Sequence, residues 1–293
     1  TESADILVPA EKLPNVISWY HRNETSIVPF TLKHQGLISY ADQFPDPLIK
    51  RTFGGRIDGK GFVRIHPKTI QSARKNKKQT VQITVSCFQA DNIENWLINL
   101  DQTFRTNSDF TLSRTRTAKW WTSRFSESWV FVDMPETERG KLSLSQAYAA
   151  QRSVILAASA GKFPIKFNGS IFTVSPLFVN GTSMSDDYRL WGGDYWWQNT
   201  RLPYYGMLAR KEADRMHSLF EFYFRAIPGC TTRAKEYYGA KGVYFPETMT
   251  TFATYSNGDY GWNREGFEKG DIESPWWKWE WNQGLELVAL LLD

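Results

Sequence analysis

The chain has 293 residues, a formal net charge of +4 and a pI near 8.9, with 41% hydrophobic and 23% charged residues. This is the composition of a soluble globular protein of one large or two ordinary domains; the charge is too small to argue for nucleic acid, and no apolar run approaches the ~20 residues of a membrane span. The deviation is aromatic, at 15% of residues with 13 tryptophans.

Residues 1 to about 90 read as β-rich. Val16–Tyr20, Gly61–Ile65 and Thr80–Phe88 carry β-branched residues, the last in clean alternation. Phe44–Pro47 and Gly54-Gly55 read as turns. The basic run Arg74–Lys78 reads as a solvated hairpin turn, with a phosphate-binding patch the lesser alternative. Asp91–Phe104 has helical spacing at Ile93, Trp96, Leu97 and Leu100, with Asp91 as cap. A second helix spans Ser113–Ser126, a short strand Ser128–Val132, and Met134–Lys141 reads as a polar connector.

From Leu142 the texture becomes helical. A helix capped at Ser143 or Ser145 presents Leu144, Tyr148, Gln151, Val154, Ile155 and Ala158 on one face, and Gly161 and Pro164 stop it. Ile165–Phe167, Asn168-Gly169 and Ser170–Val174 form a hairpin signal, because Asn-Gly suits a two-residue turn. A long helix is expected over Pro203–Ile227, with Tyr205, Leu208, Met216, Leu219 and Tyr223 as its core stripe. Another covers Thr231–Tyr238 and ends at Gly239. Val243–Asp271 reads as a long loop, and the Trp-rich Ser274–Trp281 opens a last helix. That helix reaches Asp293 without a stop signal, so the chain is read as a piece of a longer protein.

The stretch Tyr188–Arg201 concentrates chemistry. Trp191, Trp196 and Trp197 stand among Asp194, Gln198, Asn199, Thr200 and Arg201. Sugar rings stack their C–H faces on indoles and demand paired donors and acceptors for their hydroxyls. A plain core would not surround its tryptophans with these groups, since each costs about 1–3 kcal/mol if buried unpaired. Plainer roles stand beside each: a helix cap for Asp194, an ion pair for Arg201, packing for at least one tryptophan and for Tyr148, and a solvated loop acid for Glu247. Cys87 and Cys230 are too few for a disulfide framework and read as buried free thiols, with one bridge as the other option. His21, His34, His66 and His217 are scattered without ligand spacing, so no metal and no cofactor is expected.

From Ser143 onward the sequence resembles the family 95 glycoside hydrolases and the related (α/α)6-barrel group. Three stretches carry this: Tyr148–Ser159 followed by Gly161 and Pro164; Trp191-Gly192-Gly193-Asp194-Tyr195 with Tyr204-Tyr205; and Ala234–Gly242, similar to an Ala-Lys-x-x-Tyr-Gly-Ala-x-Gly motif. The resemblance implies an α+β chain holding the C-terminal strands of a β-sandwich (1–108), a helical linker (109–142) and the first helices of an (α/α)6 barrel (143–293). It implies a secreted or periplasmic bacterial protein that hydrolyses a glycosidic bond with inversion. Such chemistry needs one protonated and one ionised carboxyl about 6.5–9.5 Å apart. By this resemblance the general acid lies beyond Asp293.

Trp191, Asp194, Trp196, Trp197, Gln198, Asn199, Thr200, Arg201, Tyr148 and Glu247 are the substrate-contact candidates. One departure matters: the water-orienting Asn-x-Asn pair of the family falls here on Gln198 and Thr200, with Asn199 between, so the family's fucosides do not carry over as substrate. The alternative is a carbohydrate-binding protein on the same scaffold without chemistry. A nucleic-acid role rests on Arg74–Lys78 alone.

Overall fold

A computed structural model describes residues 5–9, 11–133, 143–166, 193–276 and 280–293. The hairpin expected around Asn168-Gly169, the connector Met134–Lys141 and Trp191 lie outside the described residues. The chain is a mixed α+β protein with small antiparallel sheets. It divides into two compact units, one of residues 1–27 with 47–127 and one of residues 28–46 with 128–293.

In the first unit, β1 (Ile6–Leu7), β2 (Ile17–Arg22), β3 (Arg51–Gly59) and β6 (Val81–Gln89) form a sheet in the order β1-β2-β3-β6, every neighbour antiparallel. β4 (Phe62–His66) and β5 (Thr69–Ser72) make a separate hairpin. Arg74–Lys78 is therefore not a hairpin turn: its loop leads from one sheet to the other, and all five residues are exposed. Gly54-Gly55 is not a turn either, but sits mid-strand in β3. A Cβ on Gly54 would lie 2.1 Å from the Trp19 carbonyl oxygen, and one on Gly55 2.6 Å from that of Thr84. Glycine here answers to close neighbours.

α2 (Ile93–Thr106) covers one face of this sheet with Trp96 and Leu100. Its cap is Asn92, whose side chain accepts from Asn95 N–H, rather than Asp91. Buried Arg22 ties the layers, donating to the carbonyls of Lys50, Ala90 and Asp91 and to the Thr52 hydroxyl. On the other face Phe53, Ile83 and Val85 are exposed. α3 (Phe110–Ser126) begins earlier than expected because Asp109 caps it, accepting from Leu112 N–H. Ser128–Val132, expected as a strand, has no ladder partner among the described residues; Val132 N–H donates instead to Ser145 Oγ.

In the second unit, α1 (Val28–His34) packs beside a 3-10 turn at Ile38–Gln43. α4 (Leu144–Ala158) opens on a capping box in which Ser143 and Gln146 satisfy each other's backbone N–H groups. Its buried positions are Arg152 and Leu156, while Leu144 is exposed. The face turns because Arg152 enters the core to meet Glu212 at 2.6 Å, both side chains being almost wholly buried. β7 (Asp194–Trp196) runs into the single turn α5 (Trp197–Thr200) and then α6 (Leu202–Ala209).

The long helix expected over Pro203–Ile227 is broken. Lys211 takes a left-handed φ of 59°, Glu212 is buried between Arg152 and Arg210, and α7 (His217–Tyr238) starts afresh. α6 consequently buries Tyr204 and Met207, leaving Tyr205 exposed, whereas Met216, Leu219 and Tyr223 are buried as expected. α7 also absorbs the helix expected at Thr231–Tyr238, running through Pro228 to a left-handed Gly239. Its Gly229 admits the ring of Phe44, which a Cβ would meet at 2.6 Å. The loop expected at Val243–Asp271 contains β8 (Thr248–Thr250) and α8 (Asn257–Tyr260). α9 (Gln283–Leu292) begins two residues after Trp281, packing Gln283, Leu287 and Leu290 inward. No helix of the described residues is long and apolar enough to cross a membrane.

Candidate functional site

Antiparallel pairing of β7 with β8 builds the site, with Asp194 opposite Thr250 and Trp196 opposite Thr248. The ladder continues one step further: Trp197 N–H donates to the Glu247 carbonyl at 2.9 Å. Glu247 is thereby delivered to the start of α5, where its Oε1 accepts from Gln198 N–H at 2.7 Å. Carboxylates are favoured at such helix starts. Its Oε2 accepts from Nε2 of Gln283, the first residue of α9, at 2.9 Å. One carboxyl so joins the beginnings of two helices.

One turn further along each helix lie Arg201 and Glu286. Arg201 donates to Glu286 Oε2, which also takes the Trp197 indole N–H at 2.7 Å, while Asn282 Nδ2 donates to Oε1 at 3.3 Å. The Arg201 and Glu286 side chains are 26% and 28% exposed, so this pair meets solvent. Glu247 does not, at 3%. The two carboxyls are driven apart electrostatically. Burial pushes Glu247 up, against the pull of the Gln198 N–H and the Gln283 amide. Burial acts the same way on Glu286, but the hydrogen bonds from Arg201 and Trp197 outweigh it and hold that carboxyl below its ordinary value. The hydrogen bond with Glu286 in turn raises Arg201.

Trp197 is 1% exposed and stands edge-on to Tyr223 at 5.4 Å, a core residue whose nitrogen alone reaches the site. Gln198 is exposed and Asn199 half-buried. Thr200 is wholly buried, its hydroxyl without a hydrogen-bond partner among the described residues. Asp194 and Trp196 are half-buried in β7, and the Asp194 carbonyl accepts from Lys166 Nζ. Tyr148 is half-buried on α4. The structure thus gathers Trp197, Gln198, Arg201 and Glu247 into one network, with Asn199 and Thr200 on the same turn.

Gln283 and Glu286 complete that network and escaped sequence reasoning. Their spacing of one helical turn was the available signal, obscured because the polar pair lies in an otherwise apolar helix. Among the described residues no group of His, Cys, Asp and Glu is placed to hold a metal ion. Cys87 and Cys230 are both free; Cys230 is buried, but Cys87 is exposed on β6, contrary to the expectation of two buried thiols.

Residues 2–130 are similar to a family described as a domain of unknown function, DUF5703, in its N-terminal part. No curated protein and no solved structure matches the chain.

Proposed function

We propose that the Gln198–Arg201 turn and Glu286 form a carbohydrate-contact surface in a glycoside hydrolase-like protein. The observation that carries this reading is the half-open Arg201–Glu286 pair, fixed from behind by the Trp197 indole. A guanidinium and a carboxylate held side by side offer the donors and acceptors that adjacent sugar hydroxyls require, and Gln198 extends the row. The resemblance of Tyr148–Ser159, Trp191–Tyr195 and Ala234–Gly242 to family 95 glycoside hydrolases supports the same class. With it come the finer architectural readings, a sandwich end followed by the opening of an (α/α)6 barrel, and secretion or periplasmic residence. The apolar face left open by Phe53, Ile83 and Val85 suits a sheet that packs on another.

The alternative, a carbohydrate-binding protein without hydrolysis, draws support from Glu247 and Thr200, both closed to solvent. Titration of the chain with a panel of oligosaccharides tests the shared reading: binding is expected, and Arg201→Ala and Glu286→Gln are each expected to weaken it tenfold or more (about 1.4 kcal/mol). Absence of binding across the panel sinks it. Proton NMR of the anomeric signals with the full-length protein then separates the two versions, since inverting hydrolysis releases a sugar of opposite anomeric configuration.

A further inference from the structure

Gln283 is 1% exposed and half satisfied. Its Nε2 donates to Glu247, while its Oε1, equally buried, has no hydrogen-bond partner among the described residues. An unpaired acceptor therefore belongs to the same amide that binds a carboxyl which burial favours in the protonated form. A half-turn of that amide about its terminal bond exchanges nitrogen for oxygen with almost no change of shape. Protonated Glu247 then donates from Oε2 to Gln283 Oε1, and Oε1 of the carboxyl still accepts from Gln198 N–H. Each orientation leaves one amide atom unpaired, so the exchange adds no unpaired group.

We propose that Glu247 is a positioning residue that keeps both of its helix contacts in either charge state, because Gln283 can answer a carboxylate with its nitrogen and a carboxylic acid with its oxygen. The consequence falls on the Arg201–Glu286 pair. Gln198 N–H opens the turn that ends at Arg201, and Gln283 opens the helix that carries Glu286, so the bridge between them sets how the pair meets. Other charged groups also act on Glu247. Glu280, ahead of α9, raises its proton affinity and Arg201 lowers it, while Tyr223 faces it from α7. None replaces the Gln283 contact. The inference concerns the site of the proposed function but rests on its internal geometry, and it holds for any ligand of that site.

The test follows the Trp197 indole N–H resonance of the full chain, identified by its loss in Trp197→Phe, together with the thermal midpoint between about pH 4 and about pH 8. Glu247→Gln imitates the protonated acid and pairs with Gln283 Oε1. It is expected to leave the indole resonance in place and to remove the dependence of the midpoint on the Glu247 charge. Gln283→Met, which offers no donor and only a weakly accepting sulfur, is expected to shift the resonance and lower the midpoint. If Glu247→Gln moves the resonance as far as Gln283→Met does, the charge itself is required and the proposal fails; it fails equally if Gln283→Met moves nothing. Loss of sugar binding with these signals unchanged would count against the proposed function alone.

Discussion

Trp197 donates its indole N–H to Glu286 across 2.7 Å, though 89 residues separate them in sequence. The ring is core and the nitrogen is site, so one side chain couples packing against Tyr223 to the orientation of a half-exposed carboxylate. Trp197→Phe keeps a ring in the core and deletes the donor. It is expected to cost about 1.5–3 kcal/mol in urea unfolding, the range for a hydrogen bond to a charged group. A cost near zero would mean that the contact holds nothing.

Glu286 sets the acid limb of the site. Its carboxyl titrates below the ordinary value, so its stabilisation is present above the unfolded value and is lost as pH falls through the folded one. Glu286→Gln is expected to lower stability near neutral pH by about 1 kcal/mol or less, as partly exposed pairs do. Its melting temperature should then fall less than that of the parent below about pH 4. Parallel pH profiles for the two proteins would contradict this.

Arg152 and Glu212 form the most deeply buried ion pair described, with side chains 1% and 0% exposed, and Arg210 adds a second contact to Glu212. Glu212→Ala leaves Arg152 without its carboxylate in the core and is expected to cost about 3–5 kcal/mol. The triple change Arg152→Met and Arg210→Met with Glu212→Leu, which removes all three charges, should recover much of that loss, as a denaturant series on the parent, the single variant and the triple variant would show.

Gly54→Ala places a methyl against the Trp19 carbonyl, a backbone atom that cannot rotate away. Destabilisation of about 1–3 kcal/mol or more is expected. Gly61→Ala, with open space around its Cβ but a φ of 77°, should cost less. Equal effects on the two thermal midpoints would refute the steric account.

The thiols should separate by rate. Cys87 is exposed, whereas burial pushes the Cys230 thiol up and shields it. A disulfide reagent is expected to modify one thiol promptly in the native protein and the second only on unfolding. Cys87→Ser should abolish the fast phase.

Local pattern was legible where it needed no distant partner. The alternation of Thr80–Phe88 places β6, and Ser143, one of the two serines read as a cap, marks the start of α4. Gly54-Gly55 misled because a glycine pair looks the same in a turn and beneath the indole of Trp19. The break between α6 and α7 was hidden because it depends on Glu212 meeting an arginine 60 residues earlier. The Gln198–Arg201 turn stood out by composition. Gln283 and Glu286 did not, because nothing near them in sequence tells that they face Trp197 and Glu247.

Residues 28–46 fold with the second unit, although they lie inside the stretch of 2–130 that is similar to DUF5703. Gln35 donates to the Tyr255 carbonyl, Tyr40 to Glu236, and Phe44 fills the space left by Gly229. A fragment cut at residue 130 would carry Gln35, Tyr40 and Phe44 without Tyr255, Glu236 and Gly229, which they meet. Ribosomal synthesis meets the same difficulty: the segment from 28 to 46 must wait, unsatisfied, until α7 and the Thr250–Tyr260 region have been made. The edge of the stretch similar to DUF5703 and the boundary of folding are different places in this chain.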